Sequence, residues 1–271
     1  MTSSERPLLS GTPNPGYLIV ARAVWLEVKR REEHLALFIF MGLYLVIAIG
    51  ARLVGDTRPE AVALMLNMGL WLSASLSAIL SLLTGARLIP KEIENRTLYP
   101  LLAKPITRTE LLFGKTLATV VAGWTVFALF TVLTSLTWVA EFPLPGQDAI
   151  MFVQGFILQL WALVLITTLA MALSLLIPTS LAILISAAYY FAGTAMINIL
   201  GSLFSETAVG GAVDFLLLYF PDFSKLCILQ RFTDGAPPLP WGEFLMLNAY
   251  GLVFSLTLIA FSSMVFKRRS L

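Results

Sequence analysis

The chain has 271 residues, of which 58% are hydrophobic and 13% charged, and its mean hydropathy is +0.85. Soluble domains average about 45–50% apolar and about 25% charged residues, so a water-soluble fold is excluded and an all-α polytopic membrane protein is expected. The net charge is only +2, one cysteine (Cys227) allows no internal disulfide, and one histidine (His34) excludes any multi-histidine metal site, so neither a metal nor a nucleic-acid partner is expected.

In chain order, residues 16–34 read GYLIVARAVWLEVKRREEH. Leu18, Ala21, Trp25 and Val28 recur at helical spacing ahead of Lys29, Arg30 and Arg31. That pattern suits an amphipathic helix in the cytoplasmic interface, with Trp25 near the headgroups and the basic cluster facing anionic lipid. The alternative is that the segment extends the first span into the cytosol. Six uncharged apolar runs follow: Leu35–Ala51, Ala61–Ala86, Leu117–Ala140, Ile150–Ile177, Leu181–Phe204 and Phe244–Phe266. Each reaches or nearly reaches the roughly 20 residues that a helix needs to cross a bilayer. The first also has features of a signal peptide, but 34 residues precede it, including Glu27, Glu32 and Glu33, so a retained helix is the better reading. The whole of 1–271 is thus expected to be one transmembrane domain.

None of the six runs contains Asp, Glu, Lys, Arg or His. An ion-coupled carrier needs an ionisable group at depth, so that class is disfavoured, and any uphill movement must draw its energy from elsewhere. Polar residues do occur, and Ser73, Ser77, Ser81 and Thr84 of the second run share one helix face. Such a face is read as a close helix contact, with a mildly polar lining for a substrate path as the alternative. There is no G-x-S-x-G elbow and no buried Asp pair, so the chain is not expected to be an enzyme.

Between the second and third runs, residues 89–116 read IPKEIENRTLYPLLAKPITRTELLFGKT, a dense cluster of charge. The closing GKT invites comparison with a phosphate-binding loop, which is G-x-x-x-x-G-K-[ST]; the first glycine would fall at 109, which is Thr, so the motif fails. Local chemistry predicts helix, bend, helix instead. Pro90 opens a first helix that carries a Glu92/Arg96 pair, Pro100 and Pro105 interrupt it, and Thr107-Arg108-Thr109-Glu110 is a capping box for a helix running through Lys115 into the third span.

The outer loop, 205–243, contains FLLLYFPDF from Phe215 to Phe223, too short to span, and is read as a re-entrant or interfacial helix or as a segment packed over the bundle. DGAPPLP, from Asp234 to Pro240, is a turn-rich connector into the sixth span. Cys227 is read as packing rather than as a metal ligand. With six spans both termini share a side, and that side holds 14 of the 18 basic residues. By the positive-inside bias the termini and the 87–116 loop are cytoplasmic.

The order KEIENRTLYPLLAKPITRTELLFGK resembles the signature of the ABC-type-two permease family, the membrane subunits of certain ATP-binding-cassette exporters. The matching positions are Glu92, Glu94, Thr97, Leu98, Leu101, Leu102, Lys104, Pro105, Thr107, Arg108, Gly114 and Lys115. Arg96 stands where glycine is frequent and Ile93 where a basic residue is common. The resemblance extends to the six-span layout with its interfacial N-terminal helix, and its nearest branch is that of permeases associated with multicopper-enzyme maturation. It implies that 89–116 is a coupling region docked on a separate ATPase subunit, which binds the ATP and Mg. Glu92, Glu94 and Arg96 would supply polar contacts, Leu98, Leu101 and Leu102 an apolar anchor, and Arg108 and Lys115 rigidity or further contacts. Two permease chains, alike or different, would pair with two ATPases in a bacterial-type inner membrane and export a substrate. A non-transporting membrane scaffold of a maturation or motility complex is the alternative the same resemblance allows.

Overall fold

The computed structural model describes residues 33–53, 59–90, 108–138, 146–204, 221–232 and 236–268. Six α-helices run through them: α1 Glu33–Leu53, α2 Pro59–Arg87, α3 Arg108–Trp138, α4 Gly146–Ser174, α5 Thr179–Phe204 and α6 Trp241–Arg268. Two single 3-10 turns, Phe223–Lys225 and Leu229–Phe232, lie between α5 and α6, and there is no strand among the described residues. The protein is an all-α polytopic membrane protein. Five helices (α1 to α4 and α6) are long and apolar enough to cross a bilayer. In α5 the apolar stretch with described side chains, Thr179–Gly193, is shorter, while the helix itself continues to Phe204. At 1.5 Å per residue its 26 residues extend about 39 Å, more than the hydrocarbon thickness.

The helices outrun the apolar stretches in the sequence because polar residues at their ends keep helical geometry in the interface. Most visibly, α3 begins at Arg108, directly after the expected cap Thr107, and not at the first uncharged residue, Leu117. The first span takes in Glu33 and His34, which the reading above assigned to the interfacial segment. The rest of that segment, residues 91–107 of the charged loop and Phe215 to Phe220 of the outer loop lie outside the described residues.

The order of the bundle follows from what each helix can offer its neighbours. Helix α4 packs against α2, α3, α5 and α6, and 72% of its spanning window is buried, against 11% for α1 and 17% for α6. Small residues let the neighbours approach α4 closely. A side chain at Gly85 of α2 would meet the backbone oxygen of Thr167 at 2.7 Å, and one at Gly155 of α4 would meet Leu229 Cα at 2.8 Å. Indole groups on the same seam are satisfied across helices: Trp124 Nε1 donates to the Leu160 carbonyl at 3.0 Å, and Trp161 Nε1 to Asn248 Oδ1 at 3.0 Å. Asn248 in turn donates to the Phe244 carbonyl at 2.7 Å. Asn248→Leu strands the Trp161 donor and is expected to cost about 0.6–2 kcal/mol, the usual worth of an interhelical hydrogen bond in lipid, measured as a shift in an SDS unfolding titration.

The hydroxyl face of α2 is a packing surface. Ser73, Ser77, Ser81 and Thr84 are all buried. Three of them donate back to their own helix: Ser73 to Gly69 at 2.7 Å, Ser77 to Ser73 at 2.6 Å and Thr84 to Leu80 at 2.8 Å. Ser73 also lies 3.4 Å from Thr134 Oγ1 of α3, and Ser81 faces Gly123 of α3. Back-bonded hydroxyls present little polarity to a neighbour while keeping a small profile, which suits contact between two helices better than a wet path.

At the far end of the bundle from the charged loop, Arg52 at the end of α1 donates to the Thr137 carbonyl at 2.6 Å, a cation on the free carbonyls of the α3 C-terminus. The outer loop is stitched to α5 and α6 further in. Tyr189 Oη of α5 donates to the Pro221 carbonyl at 3.0 Å, the Asp222 amide donates to Tyr250 Oη of α6 at 2.7 Å, and Lys225 stands 5.6 Å above the Tyr250 ring. Asp222 caps the first 3-10 turn by accepting from the Ser224 amide at 3.0 Å. Phe223 is buried between Tyr189 and Tyr190. The described end of this apolar segment, Pro221 to Phe223, therefore packs against the middle of α5 and the first half of α6.

Candidate functional site

Of the residues expected to dock a partner, Glu92, Glu94, Arg96, Thr97, Leu98, Leu101, Leu102, Lys104 and Pro105 lie outside the described residues. Arg108 is the first residue of α3. Lys115, two turns further on, is 2% exposed and so lies in the base of the loop within this single chain.

That base is built from the ends of four helices. Leu88 and Ile89 leave α2, Leu112 and Ala118 belong to the start of α3, Met171 and Leu175 to the end of α4, and Phe266 to the end of α6; all are buried in one cluster. Polar contacts pin it. Thr116 Oγ1 donates to the Leu112 carbonyl at 2.8 Å and lies 3.2 Å from Met171 Sδ, and Ser174 Oγ donates to the Met171 carbonyl at 2.8 Å. The two points where the charged loop leaves and rejoins the bundle therefore share one apolar knot, so displacement of the loop bears directly on α2, α3, α4 and α6.

The α4–α5 connection at this end is minimal. Leu176 and Ile177 both donate to the Leu173 carbonyl at 2.9 Å, Pro178 stops the helix, and α5 starts at Thr179. Such a connection projects little, which leaves 90–108 as the larger excursion between helices on this face.

The geometry also disposes of the GKT tripeptide as a phosphate site. Gly114, Lys115 and Thr116 sit inside α3, where backbone amides are spent on the preceding turn, and all three are buried. A phosphate cradle needs the opposite, amides that are free and pointing outward. Sequence reasoning missed the residues of the knot. A signal was there in Leu88-Ile89, an apolar pair that continues past the terminal Arg87 of α2, but its partners Met171 and Phe266 are distant in sequence.

The pattern that defines the ABC-2 family transporter proteins matches residues 26–271, taking in all six helices and the charged loop. No curated protein matches the sequence. Five bilayer-length apolar helices, a bundle closed around α4 and a match over nearly the whole length agree, and the chain belongs to the ABC-2 transporter family, as a multi-pass membrane permease subunit of an ABC transporter.

Proposed function

We propose that the chain exports its substrate with energy supplied by a separate ATPase subunit docked on 89–116 at the cytoplasmic face. It works in a bacterial plasma membrane, paired with a second permease chain, and belongs to the branch resembling the multicopper-maturation permeases. ATP and Mg bind to the ATPase partner. The observation that carries this reading is the knot at the base of the loop: both ends of 89–116 are held in one buried cluster with α4 and α6, as a lever between a docked motor and the bundle requires. The spans contribute the complementary argument. Their apolar runs carry no charged residue, and the charges within the spanning stretches, Arg52, Arg87, Lys115 and Glu243, lie towards helix ends rather than at depth, so the energy enters through the loop. Glu92, Glu94 and Arg96 supply its polar contacts, and Leu98, Leu101 and Leu102 its apolar anchor.

Glu92→Arg combined with Leu101→Asp inverts one contact and puts a charge into the apolar anchor. The double variant should insert and run on gel filtration as the parent does, yet bind its ATPase at least about 30-fold more weakly, corresponding to about 2 kcal/mol at an interface hot spot. Co-purification with the ATPase undiminished from the parent would sink the docking assignment.

A further inference from the structure

Midway along α2, α4 and α5, a cavity of about 150 Å³ lies between these helices and the segment joining the two 3-10 turns. Its wall includes Trp71 and Ser75 of α2, Gln159 of α4, Tyr190 and Phe191 of α5, and Cys227. Trp71 and Phe191 are 51% and 48% exposed, so the cavity opens between them onto the apolar flank of the bundle. Gln159, at 1% exposed, belongs to the buried side.

The polar groups here are incompletely used. Gln159 Nε2 donates to Tyr190 Oη at 3.0 Å, and the Cys227 sulfur lies 3.7 Å from the same oxygen. Tyr190 thus accepts from Gln159, and with only a sulfur at 3.7 Å to receive it, its own proton is little used. Gln159 Oε1 accepts nothing from the described residues, and it is not sealed off in the packing either. Turning the amide over does not remove the surplus: in either orientation the pair retains a donor and an acceptor side by side. No charged residue contributes to the wall.

We propose that this cavity binds the neutral head of an amphiphile, a primary alcohol or carboxamide on an apolar chain, entering from the bilayer between Trp71 and Phe191. A head that donates and accepts at adjacent atoms completes Gln159 and Tyr190 together. An ionic head would be buried with no countercharge, which excludes carboxylates and ammonium groups. The volume suits a group about the size of benzene. The aromatic rim takes the chain. Binding of this kind needs neither ATP nor an ATPase, so it stands or falls apart from the docking of a motor on 89–116.

Cys227 supplies the readout, being the one cysteine of the chain and part of the wall. Burial pushes its thiol up to about 11. It is therefore protonated at neutral pH, and alkylation by N-ethylmaleimide should accelerate about tenfold per pH unit towards that value, because the thiolate is the nucleophile. The full chain in phosphatidylcholine nanodiscs is labelled at pH 9 and followed by intact mass, with 1-octanol, octanamide, octanoate or octyltrimethylammonium added. 1-Octanol and octanamide should slow labelling at least about fivefold at saturation, as mass action requires when bound and labelled states compete, and the two ions less than about twofold. In Gln159→Leu and in Tyr190→Phe, each compared with its own unliganded rate, the protection should be lost. Equal slowing by the ions, or full protection surviving in Gln159→Leu, would overturn the assignment. Should Gln159→Leu fail to fold, Tyr190→Phe, which keeps the ring and removes only the hydroxyl, decides in its place.

Discussion

Gly85→Val should destabilise the bundle by about 2–3 kcal/mol in an SDS unfolding titration, the usual range for overpacking a close contact, whereas Gly42→Val should leave it within about 0.5 kcal/mol of the parent. The two positions make a matched pair. Both lie in transmembrane helices, so the change in helix propensity is shared and cancels in the comparison. They differ in what a side chain would meet. At Gly42 there is nothing within 4 Å, while at Gly85 a Cβ would stand 2.7 Å from the Thr167 backbone oxygen and 3.2 Å from Thr167 Cγ2. Neither atom can swing away: one is backbone, and the Thr167 side chain is held by its hydroxyl bond to the Leu163 carbonyl at 2.7 Å. Helices α2 and α4 must separate. Leu88 and Ile89 follow within four residues and belong to the knot under the charged loop. The variant should therefore also bind the ATPase partner less well. If Gly85→Val unfolds at the same SDS fraction as Gly42→Val, the α2–α4 contact is not the close approach described.

How the helices arrange themselves was hidden for a physical reason that α1 and α4 make plain. Both have a mean hydropathy of 2.2 over their spanning windows, yet 11% of one and 72% of the other is buried. In water such helices would compete equally for the core. In lipid the surroundings are as apolar as leucine, so hydrophobicity does not choose between lipid and protein contact. Small residues and hydrogen-bonding groups choose instead. Helix α4 carries Gln154, Gly155, Gln159, Ala162, Thr167, Thr168 and Ala170, all buried, while α1 presents Leu35, Ile39, Phe40, Leu43 and Val46 outward.

The existence of the helices was legible, because charge is too costly at depth and therefore marks where they stop. The start of α3 was legible more finely still, since Thr107-Arg108-Thr109-Glu110 states a local preference that tertiary contacts had no reason to override. The candidate site divides along the same line. Its charged tip could be picked out by composition and by the order of its residues, whereas its base depends on Met171, Leu175 and Phe266 arriving from distant helices. The helix running through Lys115 was legible, but the burial of Lys115 beside Leu112 and Thr116 depends on what packs against that turn of α3.

Gln154→Met should cost about 3 kcal/mol and at the same time speed the alkylation of Cys227, because Gln154 alone satisfies both backbone groups of a residue 85 positions away. Its Nε2 donates to the Leu239 carbonyl at 3.0 Å and its Oε1 accepts from the Leu239 amide at 2.9 Å. The connector there reads Pro237-Pro238-Leu239-Pro240, so the Leu239 amide is the one backbone donor of the four residues. Both Gln154 and Leu239 are buried. Methionine fills similar space but offers neither group, leaving an amide and a carbonyl unsatisfied at about 1–3 kcal/mol each. The loss should therefore exceed that of Asn248→Leu, which strands a single indole donor. The effect on Cys227 follows from packing continuity: Gly155 lies against Leu229, and Leu229, Leu239 and Phe244 share one buried cluster with α4. Freeing the connector loosens the second 3-10 turn and opens the thiol to reagent. A destabilisation below about 1 kcal/mol with unchanged labelling would mean that packing, not the amide clamp, holds the outer connector, since a buried backbone pair left open cannot be that cheap.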